Sequence, residues 1–254
     1  MSNANRKILM ITPVPVPAAA HPLFEGQVPE NIVRDTTSLV FAFAREGGTS
    51  LDSWYDDALA SAFILESACK AEEQGFDGVC ICTMTDTGLD AVRSRLSIPV
   101  VSAGESALLT ACALGSRISI VTLWDRWSAA YRKVLSRQGI SGRLASIRHI
   151  DTRPDLEELL TGKEDVVFEA LEKAANLAIE EDGADVIVLG STTMYQSHQY
   201  LASRLPVPVV NPALAVYLQC ETLLDLGVAH SKRTWPAPEV LNDDLFKAVP
   251  ARFE

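Results

Sequence analysis

The stretch Glu72-Glu-Gln-Gly-Phe-Asp-Gly-Val-Cys-Ile-Cys-Thr83 decides the fold, because it returns 108 positions later as Glu180-Glu-Asp-Gly-Ala-Asp-Val-Ile-Val-Leu-Gly-Ser191. Two further segments repeat at offsets of 110 and 109: Lys7–Thr12 returns as Arg117–Thr122, and Leu96–Val101 returns as Leu205–Val210. Self-similarity at a nearly fixed period indicates one duplicated unit. Each copy ends its matched strand in a hydroxyl residue, and a pseudo-twofold axis would bring Thr83 and Ser191 face to face across a cleft.

Size and charge limit the classes of function. The chain has 254 residues, of which 48% are hydrophobic and 22% charged, as is ordinary for a globular enzyme. The net charge of −11 argues against nucleic acid or an anionic membrane face as a partner, because both require a positive field. A small anionic ligand is still possible, since backbone amides can bind it locally.

The cysteines and the first residues predict a reduced, cytoplasmic protein. The five cysteines are odd in number, and Cys80-Ile-Cys82 has the wrong spacing for a CxxC motif. The polar start runs directly into a strand, and no uncharged apolar run approaches the ~18 residues of a membrane span. No two of the four histidines have the spacing of metal ligands, so we expect no metal.

Apolar runs alternate with helical stretches along the chain. Most runs are continuous, as in strands covered on both faces of a parallel sheet. The predicted strands are Ile8–Ile11, Val79–Cys82, Val100–Val101, Ile118–Leu123, Val186–Leu189 and Val207–Val210. The predicted helices are Ala58–Gln74, Leu89–Arg95, Glu105–Leu114, Arg126–Gln138, Val166–Glu181 and Ala213–Leu226. This alternation predicts an α/β fold of two flavodoxin-like domains with parallel sheets, related by a pseudo-twofold axis, with a ligand cleft between them.

Ligands of open parallel sheets bind beyond the carboxyl ends of the strands, so the loops there hold the candidate binding residues. A strand end followed by a helix start also offers free backbone N–H groups for a carboxylate or imide oxygen. The candidates for substrate binding are Thr12, Pro13, Met84, Thr85, Thr122, Thr192 and Thr193. Polar residues after strands are also ordinary turn chemistry. Hydroxyls matched between the two copies favour a function at Thr83 and Ser191.

Few titratable groups lie near these loops. Asp86, Tyr195 and His198 are the candidate acids or bases, although Asp86 also suits a helix cap and the other two also suit packing or solvent. Cys82 should point away from Thr83, because side chains alternate along a strand, and it is interpreted as a small buried hydrophobe.

The motifs resemble those of a known superfamily. Phe76-Asp-Gly-Val through Thr85-Asp-Thr-Gly-Leu-Asp-Ala-Val-Arg93, then Val188-Leu-Gly-Ser-Thr-Thr-Met194 and Asn211-Pro212, resemble the Asp/Glu/hydantoin racemase superfamily. The likeness is nearest to the hydantoin and allantoin racemase branch and covers roughly residues 7 to 235. It implies two domains, one of residues 1–115 with a returning segment 211–254, and one of residues 116–210. It also implies chemistry without a cofactor and a homo-oligomer.

The chain departs from the family at two positions. In the family two cysteines serve as bases on opposite faces of the substrate carbon, and this chain has neither of them. Alignment through Gly88 places Thr83 at the first cysteine, and alignment through Gly190 and Met194 places Ser191 at the second. The resemblance therefore makes Thr83 and Ser191 the catalytic positions. A thiol with a pKa near ~8.5 can be tuned into a base at neutral pH, whereas a hydroxyl has a pKa several units higher.

Three functions remain open from the sequence. The first is a cofactor-independent racemase or isomerase that acts at a carbon acid of a small carboxylate, hydantoin or related amide. The second is a lyase or decarboxylase that uses hydroxyls and amides to stabilise an enolate. The third is a non-catalytic protein that binds a small acid.

Overall fold

The computed structural model describes residues 5–48, 50–153 and 164–248 of the chain. The first sheet has four parallel strands in the order β2-β1-β3-β4. Its strands are β1 (Arg6–Thr12), β2 (Thr37–Phe43), β3 (Gly78–Ile81) and β4 (Val100–Ser102). All of β3 and β4 is buried, as is most of β1, which explains their continuous apolar sequences.

The second sheet repeats this arrangement in the order β6-β5-β7-β8, again entirely parallel. Its strands are β5 (Ile118–Thr122), β6 (Leu144–His149), β7 (Val186–Leu189) and β8 (Val209–Val210). Each strand has its counterpart at the same place in the first sheet. The predicted α/β fold with two parallel sheets is therefore confirmed.

The strands β2 and β6 were not predicted from the sequence. Both lie at the edge of their sheet, paired on one side only. The first residues of β2 alternate between intermediate and exposed, and β6 is only partly buried and includes Arg148 and His149. Neither strand has the continuous apolar run that identifies the central strands of a parallel sheet.

Helices connect the strands. They are α1 (His21–Glu25), α2 (Trp54–Ala68), α3 (Leu89–Arg95), α4 (Ala103–Leu114), α5 (Ser128–Arg137), α6 (Glu164–Glu180), α7 (Tyr195–Ala202), α8 (Pro212–Leu226) and α9 (Leu245–Ala248). The short helices α1, α7 and α9 were not predicted. Among the predicted helices the largest difference is in α2, which ends before the predicted Gln74 and begins earlier than Ala58, because the Ser53 hydroxyl caps it by accepting from the Asp56 N–H. Among the described helices, none is long and apolar enough to cross a membrane.

The two helices that follow the last strand of each sheet are exchanged between the sheets. The apolar face of α4 packs against the second sheet, where Ala107, Leu108 and Ala111 join the cluster around β5 and β7. The face of α8 packs against the first sheet, where Val216, Tyr217 and Cys220 join the cluster around β1 and β3. The exchange joins the two halves through buried side chains.

The segment after α8 runs along the first half. The Lys232 ammonium donates hydrogen bonds to the carbonyls of Arg93, Ser94 and Leu96, and Arg95 pairs with Asp243 at 2.7 Å. These contacts, together with those of α8, place the C-terminal segment against the first half of the chain. The predicted domain limits, 1–115 with 211–254 and 116–210, stay a prediction, and their residues 1–4 and 249–254 lie outside the described chain.

Candidate active site

A cavity of about 100 Å³ opens at the carboxyl ends of the two sheets. This volume is small beside the ~300–1,000 Å³ of pockets for drug-sized ligands, so it suits a small molecule. The residues that line it come from both halves of the chain. They are Thr12, Pro13, Val14, Phe24, Ser50, Leu51, Cys82, Thr83, Met84, Thr85, Trp127, Tyr131, Gly190, Ser191, Thr192 and Thr193.

The structure brings most of the predicted site residues together in this cavity. Thr83 and Ser191, the two hydroxyl residues at the matched strand ends, both line it. The predicted binding residues that join them are Thr12, Pro13, Met84, Thr85, Thr192 and Thr193. These residues follow β1, β3 and β7, which is where ligands of parallel sheets bind.

The two motif turns share one hydrogen-bonding pattern. The Thr83 Oγ1 lies 2.7 Å from the Thr85 Oγ1 and accepts the Thr85 N–H at 3.2 Å. The Ser191 Oγ lies 2.9 Å from the Thr193 Oγ1 and accepts the Thr193 N–H at 3.3 Å. The duplication therefore extends from the strands to the hydroxyl groups of the cavity.

Polar backbone groups at these turns complete the cavity wall. The Thr192 hydroxyl of the second half donates to the Cys82 carbonyl of the first half at 3.4 Å. Within the described part of the chain, no acceptor is bonded to the backbone N–H of Met84 or of Thr192. Two such N–H groups suit a carbonyl or carboxylate oxygen of a ligand.

Four predicted residues lie elsewhere. Thr122 is fully buried and contacts the Tyr131 hydroxyl at 3.0 Å behind the cavity wall. Asp86 lines a separate cavity beside α3 and α5. His198 bonds through its Nε2 to the Val209 carbonyl, and Tyr195 begins α7 with its hydroxyl close to Gly26. The structure does not bring these four to the cavity because each side chain is turned toward the protein interior or another element.

Sequence analysis did not single out several lining residues. Phe24, Leu51 and Trp127 supply apolar surface, and Tyr131 closes the cavity from α5. The Tyr131 hydroxyl donates to the Gly190 carbonyl at 2.7 Å, and an ideal Cβ at Gly190 would lie 2.4 Å from the Thr122 Oγ1. Gly190 in the second motif was the one sign of this packing in the sequence. The Thr122 side chain comes so close to its backbone that no residue with a Cβ would fit there.

Neither the thiol nor the phenol of the cavity is a base at neutral pH. Burial raises the pKa of the Cys82 thiol to about 12, and it raises the pKa of the Tyr131 hydroxyl well above its usual range. No group of His, Cys, Asp and Glu among the described residues has the arrangement of a metal site. The remaining polar groups of the cavity are hydroxyls and backbone amides.

Asp86 is the buried carboxyl next to the first motif. Burial raises its pKa from 3.8 to about 6, whereas the neighbouring Ser102 hydroxyl and the Glu105 N–H, which donates to its Oδ1 at 3.0 Å, lower it. The Glu105 carboxylate raises the pKa and Arg137 lowers it. Its backbone has φ = 52°, a conformation that Asp and Asn adopt more readily than most residues. The carboxyl thus holds the turn after Thr85 against the start of α4.

The raised pKa predicts how this residue affects stability. Because the folded state favours the neutral carboxyl, its contribution is present below pH ~4 and is lost as the pH rises through ~6. We expect Asp86→Asn to increase the free energy of unfolding at pH 8 by about 2 kcal/mol and to leave it unchanged at pH 4. Urea unfolding at the two values measures this, and the exposed Asp35→Asn is the control. Equal effects of Asp86→Asn at both values would contradict the assignment.

Comparison with known proteins shows the family of the chain. The family model for Asp/Glu/Hydantoin racemase matches residues 22–220. A hydantoin racemase of Pseudomonas sp. (strain NS671) is 32% identical over 215 residues, which cover 83% of this chain and 84% of that protein. A hydantoin racemase of Paenarthrobacter aurescens is 30% identical over 89% of this chain and 94% of that protein. The structure of an allantoin racemase from Klebsiella pneumoniae has a TM-score of 0.85 at 30% identity, covering 93% of this chain and 95% of that chain. The resemblance of the motifs is confirmed, and the chain belongs to the Asp/Glu/hydantoin racemase family.

Proposed function

We propose that this member of the racemase family is a cofactor-independent racemase or isomerase for a carbon acid. Its substrate is a small carboxylate, hydantoin or related cyclic amide, and Thr83 and Ser191 are the groups that face the reacting carbon. One observation carries the proposal. The two motif turns, which are far apart in sequence, line one small cavity with the same hydroxyl arrangement.

The chemistry of the cavity fits such a substrate. The backbone N–H groups of Met84 and Thr192 suit carbonyl oxygens, on which negative charge develops when a neighbouring C–H bond breaks. Phe24, Leu51 and Trp127 provide an apolar wall for a substituent on the stereogenic carbon. Related hydantoin and allantoin racemases carry names that point to cyclic amides, which is why we begin with that substrate class.

Proton exchange tests the function directly. The protein is incubated in heavy water with one enantiomer of a 5-substituted hydantoin, and NMR follows deuterium at the stereogenic carbon while optical rotation follows racemisation. We expect slow deuterium incorporation accompanied by loss of optical rotation. Exchange absent for a panel of hydantoins and amino-acid amides, together with carbon dioxide release from a substituted malonate, would replace this proposal by the lyase alternative.

Alanine variants test the two facing hydroxyls. We expect Thr83→Ala and Ser191→Ala each to lower the exchange rate by about 10-fold or more, because proton transfer by a positioned group contributes ~10²–10⁴-fold. Their midpoints of urea unfolding should stay close to that of the natural protein, since both hydroxyls line a cavity rather than the core. Thr222→Ala on the exposed face of α8 is the matched control. Full exchange rates in both cavity variants would show that neither hydroxyl takes part.

A further inference from the structure

The Thr83 hydroxyl is the first member of a chain of hydrogen-bonded hydroxyls that leaves the cavity. Its Oγ1 lies 2.7 Å from that of Thr85, which lies 2.7 Å from that of Thr87, and the Thr87 hydroxyl donates to the Asp57 Oδ1 at 2.5 Å. The three threonines are all buried. We call Thr83, Thr85, Thr87 and Asp57 the threonine relay. It joins the substrate cavity to a carboxylate in α2, and Thr85 lines both this cavity and the one beside Asp57.

The end of the relay is a charged acceptor. Asp57 lies in the first turn of α2, where the helix dipole favours an anion, and the Lys133 ammonium lies 3.3 Å from its Oδ2. An ionised carboxylate has no hydrogen to donate, so Asp57 can only accept. Lys133 comes from α5, so the second half of the chain stabilises the charge at the end of the relay.

Counting hydrogens fixes the direction of every bond. A hydroxyl has one hydrogen, and that of Thr87 is donated to Asp57. The bond between Thr87 and Thr85 must then be donated by Thr85, and the bond between Thr85 and Thr83 must be donated by Thr83. The Thr83 hydrogen is therefore donated to Thr85 and is not free to bond to a ligand. The Thr83 oxygen also accepts the Thr85 N–H, which leaves it one lone pair for accepting a proton.

The second copy lacks this constraint. Ser191 and Thr193 contact each other at 2.9 Å, and either hydroxyl can be the donor. Among the described residues no carboxylate is bonded to this pair, so nothing commits the Ser191 hydrogen. The duplicated turns share the hydrogen bond between their two hydroxyls. In the described part of the protein, only the first turn continues the chain of hydroxyls to a carboxylate.

We infer that Thr83 is the proton-accepting side of the cavity, Ser191 is the proton-donating side, and Asp57 is the positioning residue that sets this difference through Thr87 and Thr85. The roles of Thr83 and Ser191 in proton transfer rest on the proposed function. The direction of the hydrogen bonds stands independently of it.

The relay accounts for the protons in one turnover. Thr83 takes the substrate proton as its own proton passes to Thr85, that of Thr85 to Thr87 and that of Thr87 to the Asp57 carboxylate. The electron pair of the broken C–H bond stays on the substrate as an enolate. The Ser191 hydroxyl then gives its proton to the opposite face of the carbon. Solvent water receives the Asp57 proton and returns one to Ser191, which restores both groups.

Kinetics of relay variants test the catalytic part. We expect Asp57→Asn and Thr87→Val each to lower the rate constant for exchange by about 10-fold or more, with KM within about 2-fold of its natural value, because neither residue contacts the substrate. Thr87→Ser, which keeps the hydroxyl, should retain most of the rate. Ser61→Ala removes a hydroxyl that bonds to the Asp57 carbonyl outside the relay and should change nothing. Unchanged exchange in both Asp57→Asn and Thr87→Val would overturn the catalytic role.

Neutron diffraction from crystals grown in heavy water tests the direction of the relay without turnover. We expect the deuteron of Thr83 to point at Thr85 and that of Thr87 to point at Asp57. A deuteron of Thr83 directed into the cavity would overturn the inference. If the natural protein exchanges no hydantoin while the deuterons lie as expected, the proposed function fails and the assigned direction holds.

Discussion

Replacing both facing hydroxyls by thiols, in the double variant Thr83→Cys with Ser191→Cys, should raise the rate of proton exchange on a hydantoin by about 10²-fold. A free cysteine thiol has a pKa of ~8.5, several units below that of a hydroxyl, so at the same position a thiol ionises far more readily than the hydroxyl it replaces. Both positions line the same cavity, so the change adds thiols there without adding new binding contacts. NMR of deuterium incorporation in heavy water measures the gain.

Two comparisons make this result specific. A cysteine placed on the exposed face of α8 by Thr222→Cys should leave the exchange rate unchanged, which excludes an effect of any added thiol. Adding Asp57→Asn to the double cysteine variant should cost little, because a thiolate does not depend on the threonine relay. Fast exchange by the natural protein with no gain from the cysteines would show that the hydroxyls and the relay already suffice.

The repeated segments of the sequence predicted the central part of the fold well. The continuous apolar run Val186–Leu189 was predicted as a strand covered on both faces, and β7 has those bounds. The strands β2 and β6 were missed because their residues are only partly buried, unlike those of β4, which lies at the opposite edge of the first sheet and is fully buried. Both strands include polar residues that contact solvent, so their sequences lack the continuous apolar run that identifies a buried strand.

The part of the site that lies at the ends of the strands was predictable from the sequence. Thr83, Met84, Thr85 and the matched segment from Ser191 line the cavity because parallel strands carry their loops to one edge of a sheet. The Thr122 side chain was not predictable, since its hydroxyl turns to the Tyr131 hydroxyl rather than to the ligand side. The same limit applies to Asp57, which reaches the first motif only through the packing of α2 beside it.

The exchange of α4 and α8 between the sheets also depends on long-range packing. Both helices have apolar residues over most of their buried surface, but α8 also carries the buried Glu221, whose carboxylate pairs with Arg6 and accepts from the Thr37 hydroxyl in the first half. Such contacts join residues far apart in the chain, so local sequence does not reveal which sheet each helix covers. The start of α4 is consequently pressed against the first motif, and this contact leads to the largest expected loss.

Gly104→Ala should both destabilise the protein and impair the cavity. An ideal Cβ at Gly104 would lie 2.4 Å from the Met84 carbonyl oxygen and 2.7 Å from the Asp86 Oδ1, closer than real contacts allow. The Gly104 N–H also donates to the Thr83 carbonyl at 3.1 Å, so displacement of α4 would move Thr83 within the cavity. Helix propensity favours alanine by ~1 kcal/mol, whereas forcing a methyl group into a packed contact costs ~1–3 kcal/mol.

The steric effect should prevail at Gly104, because the nearest atom in the way, the Met84 carbonyl oxygen, belongs to the backbone of the turn and cannot rotate aside. We expect the free energy of unfolding of Gly104→Ala to fall by about 1–2 kcal/mol and its exchange rate to fall by about 10-fold or more, since small misplacements of reacting groups are costly. Urea unfolding and deuterium exchange measure the two effects separately. Gly142→Ala is the matched control, because no atom lies within 4 Å of its added Cβ. Natural stability and natural exchange in Gly104→Ala would mean that the turn after Thr83 adapts to the methyl group, and that close contact with α4 does not hold the Thr83 hydroxyl in place.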